Sequence, residues 1–236
     1  MDCKDLQTGQ TTDMFWFKAK NDLIQILMKK ACKNKKGLRI LNIGVGTGDD
    51  LKILHDYGNN YVIDINKKAL SVVNDRWCVE KKHADACTVP YPDNFFDVVV
   101  SFDVFEHIKN DRKAVREVRR VLKKNGFLIF SVPAFQVLFS SHDKALHHRR
   151  RYDKKSIIAL LSPFNKIRIF YWNSLLFVPL ALMRIIKKES KTKVDQMNLA
   201  PWLNSLFYRC VSLDNYLIQR NNSMPFGLSI VGYCCK

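Results

Sequence analysis

Apolar and polar positions fall along this chain in blocks of two periods. Residues 38–43 form a short, almost unbroken apolar run, the length and composition of a buried parallel strand. Similar runs at 61–65, 96–102, 127–132 and 166–172 predict further strands, a more polar strand is placed at 80–84, and 226–235 is a last one after the Pro225 turn. Between them the period lengthens. The clearest case follows Asn110 and Asp111, which cap a helix whose apolar positions Ala114, Val115, Val118, Val121 and Leu122 repeat every 3.6 residues. Its other face is Arg112, Lys113, Arg116, Arg119 and Arg120, and Asn125-Gly126 is the expected stop. Helices are also predicted at 48–57, 66–77 and 154–161, the last capped by Asp153, with a helical turn at 103–109. Asp13 is placed to cap a first helix carrying Phe15, Trp16, Phe17, Ile24, Leu27 and Met28, with Gly37 as its C-cap. Strands alternating with helices at this spacing mean an α/β fold with a doubly wound parallel sheet.

Length and composition fit that picture. At 236 residues and 47% apolar content the chain suffices for one α/β domain with its own core. We read residues 1–236 as a single domain: an N-terminal helix at 13–37, a core at 38–172, a helical insertion at 173–222 and a final strand region at 223–236. Seven cysteines show neither a C-x-x-C nor a zinc spacing, and the polar N-terminus is no signal peptide; both point to reduced thiols in a cytoplasmic setting. The net charge is +17. Residues 144–193 carry thirteen Lys and Arg against only Asp153 and Glu189, a field that suits phosphates or an anionic surface.

The chemistry starts where the first strand ends, at Gly44, Gly46 and Gly48. Alternate glycines let a ligand lie against the backbone and permit positive φ. A dinucleotide fingerprint needs a small residue at position 49, and this chain has Asp49 followed by Asp50, acids where a pyrophosphate would rest. A cationic sulfonium ligand, by contrast, is favoured by nearby acid. Asp64, at the end of the second strand, is placed to accept hydrogen bonds from ribose hydroxyls, and Asp85 with the Ala86 backbone to read an adenine edge. Together these favour S-adenosylmethionine over a dinucleotide.

The run Asn42-Ile-Gly-Val-Gly-Thr-Gly-Asp49, with Asp64, Asp85-Ala86, the strand at 97–101 and Val121-Leu-Lys-Lys-Asn-Gly-Phe-Leu-Ile-Phe130, resembles class I S-adenosylmethionine-dependent methyltransferases, the group that includes ubiquinone-type O-methyltransferases. A narrower likeness, Ser131-Val-Pro-Ala-Phe135 with His142-Asp143 and His148-Arg-Arg-Arg-Tyr152, resembles bacterial and archaeal methyltransferases associated with glycan or lipid assembly. His147 stands there where glycine is expected. The resemblance implies a Rossmann-like sheet of seven strands, one of them antiparallel, with the cofactor at the strand C-termini. Its cofactor contacts would fall on Asn42, Gly44, Gly46, Gly48, Asp64, Ile65, Asp85, Ala86, Ser101 and Asp103.

Methyl transfer needs an aligned acceptor and a base to deprotonate it. Ser101-Phe-Asp-Val-Phe-Glu-His107 replaces the Asn/Asp-Pro-Pro-Tyr/Phe of nucleobase-modifying members, so an oxygen acceptor leads. His142, Asp143 and His148 are the candidate catalytic residues, and Arg149, Arg150, Arg151 and Tyr152 candidates to grip an acidic acceptor. A divalent metal on Asp103, Glu106 and His107 is the weaker alternative, because i, i+3 and i+4 share a helix face. The insertion pairs an apolar stretch, 175–186, with Lys187, Lys188, Lys191 and Lys193, then a helix from Pro201 with Trp202, Leu203, Leu206, Phe207, Cys210 and Leu217 on one side. Such segments suit an anionic membrane surface, a lid or a dimer contact. The expected partner is a small-molecule, glycan or lipid-linked acceptor. An RNA acceptor and a non-catalytic scaffold are the alternatives.

Overall fold

In the computed structural model the described residues are 14–33, 35–179, 181 and 199–236. The sheet has seven strands: β1 Leu38–Ile43, β2 Gly58–Asp64, β3 Glu80–His83, β4 Phe96–Phe102, β5 Leu122–Pro133, β6 Asn165–Trp172 and β7 Ser229–Cys235. Their order is β3-β2-β1-β4-β5-β7-β6. β1 to β5 are mutually parallel, and β7 runs antiparallel between β5 and β6. This is the Rossmann-like arrangement of class I methyltransferases, with its order reversing beside β1, where such sheets open a ligand crevice at the strand C-termini. Val99, Val100, Ile129 and Phe130 are fully buried from solvent because helices cover both faces.

The helices are α1 Phe15–Cys32, α2 Asp49–His55, α3 Lys67–Val72, α4 Asp111–Val121, α5 Ser141–Ala145, α6 Lys154–Leu160 and α7 Pro201–Gln219. Asn110 caps α4 by accepting from Lys113 N at 3.0 Å, and Asp153 caps α6 by accepting from Ser156 N at 2.7 Å. Three local expectations are corrected. α1 stops at Lys33, which itself takes the left-handed conformation (φ 49°), so Gly37 is not its C-cap. α4 stops at Val121 rather than at Asn125-Gly126, because Leu122 turns extended to pair with Phe96 in the core. The helical turn after β4 is a single 3-10 turn, Phe105–His107. Asp13 lies outside the described residues.

Phe15 and Trp16 of the aromatic triplet in α1 pack inward. Phe15 meets Phe207 edge-on at 5.4 Å, and Trp16 meets Trp172 at 4.7 Å. α7 lies along α1, held by Phe15 N donating to Asn204 Oδ1 (2.8 Å), Asn215 Nδ2 donating to the Ala19 carbonyl (2.9 Å) and Tyr208 Oη donating to Asp22 (2.8 Å). The face of α7 turned to α1 is therefore Phe207, Tyr208, Val211, Asn215 and Ile218. Trp202 and Leu206, expected with Phe207 on one apolar side, point outward at 69% and 47% exposure. The apolar stretch 175–186 and its lysines lie mostly outside the described residues; Leu175 and Val178 are exposed. Among the described residues no helix is long and apolar enough to cross a membrane.

Candidate active site

The glycine loop follows from what its neighbours leave room for. Gly44, Gly46 and Gly48 all take positive φ (74°, 55° and 79°). A Cβ on Gly44 would stand 2.4 Å from Val104 Cγ2, so the turn after β4 closes against bare backbone. Asn42, itself buried, donates through Nδ2 to Asp50 Oδ2 at 3.3 Å and sets that carboxylate behind the loop. Asp50 is pushed above the usual carboxylate range by burial, which outweighs the nearby Lys20 charge.

Acids collect on the far side of this loop. Asp103, in a left-handed conformation (φ 57°), receives Lys20 Nζ at 3.0 Å and Ser131 Oγ at 2.8 Å. Burial works against its charge, but Lys20 and Ser131 hold it below the usual carboxylate range. Lys20 reaches in from α1 with its side chain 15% exposed; burial alone would lower it, yet Asp103 and Asp50 keep it raised and charged. Beyond lies Glu106, fully buried, with neither carboxylate oxygen hydrogen-bonded among the described residues. Burial first, and the Asp103 charge second, push it well above the ordinary glutamate range.

The long loop after β5 folds back onto this turn. Phe135 N donates to the Tyr152 carbonyl and Tyr152 N to the Pro133 carbonyl, a parallel bridge that returns the His-Arg run to the end of β5. Arg149 N then donates to the Glu106 carbonyl at 2.9 Å, and Arg149 Nε to the His107 carbonyl at 3.0 Å. The result brings His148 to Asp143: Nδ1 lies 2.9 Å from Oδ1. Asp143 is wholly buried and also accepts from Arg151 Nε (2.8 Å), Arg151 Nη2 (3.0 Å) and Ser140 N (2.9 Å). Burial opposes its charge, but His148 and Arg151 hold it below the usual carboxylate range. An ionised carboxylate only accepts, so Nδ1 of His148 donates to Asp143, and its Nε2 lies 4.0 Å from Glu106 Oε1.

Several expectations need correcting. Arg151 is 5% exposed, and its donors go to Asp143 and the Ala134 carbonyl; it braces the dyad and has no reach to an acceptor. Tyr152 is 3% exposed, its hydroxyl donating to Asp111 at 2.9 Å, with the Phe105 carbonyl 3.1 Å away. Arg150 pairs with Asp111 at 2.8 Å and keeps about a third of its side chain exposed. His142 lies on α5, next to Asp143 in the chain. Ser101 is wholly buried and offers no surface to a ligand. Asp103 is engaged by Lys20 and Ser131, so the metal alternative does not assemble as expected; the ligand atoms within 4.8 Å of one another belong to Glu106, His107 and His148. Lys20 escaped the sequence reading, which puts Arg151 at the acceptor rather than on Asp143, because a lone lysine in an amphipathic helix, or one arginine of three, carries no local sign of direction.

The loop and the acids beyond it suit a cationic nucleoside ligand. Three positive-φ glycines leave backbone bare, Asp103 keeps its charge beside Asp50 and Glu106, and Lys20 pairs with Asp103 among them. Asp64 is half-buried at the tip of β2, its Oδ1 accepting from Asn66 N at 2.7 Å, and Ile65 beside it is 70% exposed, an apolar surface at a strand end. At the end of β3, Asp85 Oδ1 accepts from Cys87 N at 2.7 Å and orders the turn that buries Ala86.

Comparison with known proteins agrees. Residues 41–130 match a family model described as a methyltransferase domain. A ubiquinone/menaquinone biosynthesis C-methyltransferase from Vibrio parahaemolyticus is 34% identical over 128 residues, 48% of this chain and 49% of that protein. The chain thus spans about half the length of the curated relatives it matches. Among solved structures, phosphoethanolamine N-methyltransferase 2 of Haemonchus contortus, in complex with S-adenosyl-L-methionine, is similar with a TM-score of 0.59 at 19% identity, covering 89% of this chain and 51% of that one. The [4+2]-cyclase SpnF is similar with a TM-score of 0.57 at 18% identity, covering 91% and 81%. At such identities these two speak for the fold alone.

Proposed function

We propose that this chain is a class I S-adenosylmethionine-dependent methyltransferase, which the matched methyltransferase domain and the fold support, and that it methylates an acceptor hydroxyl with His148 as the general base. The observation that carries this reading is His148 held on the buried Asp143, set against the Glu106 turn that follows β4. When bound, S-adenosylmethionine supplies an electrophilic methyl group on a sulfonium, displaced in line. The glycine loop, Asp64, Ile65, Asp85 and Ala86 hold the nucleoside part, and Asp50 and Asp103 favour its cationic end. Asn42 acts through Asp50. On the acceptor side, His148 Nε2 takes the hydroxyl proton while the oxygen's electron pair forms the new bond to carbon. Asp143 steadies the imidazolium so formed, and Arg151 keeps Asp143 ionised and in place. Arg150, with its exposed share, is the remaining candidate to attract an acidic acceptor.

A second reading is transfer to a ring carbon. The C-methyltransferase relatives favour it, and the same base would serve, since removing a phenolic proton makes the neighbouring ring carbon nucleophilic. The acceptor class we propose is a small molecule, glycan or lipid-linked compound. Incubation with methyl-labelled cofactor and fractionated extract (lipid, glycan, RNA) tests it, and NMR of the labelled product separates C–CH3 from O–CH3. His148→Ala should lower kcat roughly 10²–10⁴-fold, the range for losing a general base, with cofactor affinity near wild type. Unchanged turnover would remove His148 from the chemistry. Activity lost to a chelator and restored by a divalent cation would instead give the role to Glu106, His107 and His148 as ligands.

A further inference from the structure

We infer that α7 docks this protein on an anionic lipid surface through its outward stripe. The residues of that stripe are Trp202, Leu206, Arg209, Leu213, Tyr216 and Arg220, spaced four, three, four, three, four. At 100° per residue this keeps all six on one side of the helix axis. The buried residues Val211, Asn215 and Ile218 lie on the other side, against α1. The outer stripe therefore plays no part in the core that α1 and α7 share. Trp202, Leu206, Leu213 and Tyr216 are 69%, 47%, 47% and 51% exposed, an apolar row facing outward.

The chemistry of the stripe selects its occupant. Arg209 and Arg220 stand in the same row, both exposed, and give the apolar stripe a positive edge. Arg220 lies over the Tyr216 ring at 5.3 Å, a cation held beside an aromatic as at a membrane interface. The helix has one acid, Asp214, which is buried and accepts from Ser174 N at 2.6 Å, so no carboxylate opposes a negative surface. A second copy would bring another +17 to the contact. Trp and Tyr rings seat at headgroup depth, and basic residues beside them find phosphate and carboxylate headgroups. A helix of 19 residues, about 28 Å long at 1.5 Å per residue, lies along such a surface rather than across it. This inference does not depend on the proposed reaction.

The test is sedimentation of the full chain with phosphatidylserine-containing vesicles, with phosphatidylcholine vesicles as the comparison. Binding should be confined to the anionic vesicles and weaken as salt rises. Trp202→Ser with Leu206→Ser should abolish it, and Arg209→Glu or Arg220→Glu should each reduce it roughly fivefold or more. Both kinds of variant should keep the wild-type melting temperature and S-adenosylhomocysteine affinity, which separates lost docking from lost folding. Equal binding to both vesicle types, or none to either, overturns the proposal. So does a dimer by light scattering that the Trp202→Ser, Leu206→Ser variant converts to monomer. Iodide quenching decides the last case: if replacing Trp202 by Phe leaves the lipid-free quenching unchanged, the stripe is already covered by the chain's own residues.

Discussion

Glu106 is the residue whose state most affects the rest of the site. It is fully buried beside Asp103 and faces His148 Nε2 at 4.0 Å, and its carboxyl is driven well above the ordinary range. A carboxyl whose folded pKa is raised binds its proton more tightly in the folded state. Folding is therefore favoured below the unfolded pKa of about 4.3, and stability falls as pH rises from there toward the folded pKa. Glu106→Gln removes that dependence. The variant should be more stable than wild type by about 1–2 kcal/mol at pH 8, with a smaller gain near pH 5, as read from denaturant melts at both pH values. An equal gain at both would mean that the Glu106 carboxyl is not raised in the folded state. His147, by contrast, was legible from the sequence as a residue in glycine's place, and its φ of 60° shows why glycine is expected. Which histidine meets Asp143 was not legible, because the pairing depends on a loop returning across Arg149 to the Glu106 carbonyl.

Among the elements, α1 is the one that reaches the site from outside the sheet. Lys20 joins it to the end of β4 through Asp103, and Asp50 and Glu106 lie within the same electrostatic field. Lys20→Met should destabilise the protein by leaving Asp103 unpaired, and it should also change ligand preference. With one cation fewer among the acids, the positively charged S-adenosylmethionine gains relative to S-adenosylhomocysteine, which lacks the sulfonium charge. A ratio of affinities raised roughly three- to tenfold, measured by calorimetry, is the expected outcome for an interaction of about 1 kcal/mol. An unchanged ratio would place the sulfonium out of reach of this cluster. The strands and α4 were legible because each has one unmixed period. The faces of α7 were not, because the helix is apolar on both sides and periodicity alone cannot say which side meets α1.

In the molecule as a whole, the binding half of the sheet is local in sequence while the other edge is not. β1 to β5 follow one another, but β6 is attached only through β7, which pairs with Phe127–Pro133 of β5 on one side and with β6 on the other. Gly232 lies at this junction, where a Cβ would stand 2.2 Å from the Arg168 carbonyl oxygen. Gly232→Val should cost about 3 kcal/mol and separate β6 from the sheet, seen as lost amide protection in β6 with β1 and β4 still protected. Uniform loss of protection would mean that the two halves unfold as one. The same threading has a consequence for biosynthesis. At about 5–20 residues per second, translation of residues 173–228 takes roughly 3 to 11 seconds, during which β5 and β6 wait on the ribosome with no partner between them. Each nascent chain then presents an apolar edge, open to neighbouring chains on the same messenger. Codon speed over that stretch therefore sets how long every copy depends on chaperones.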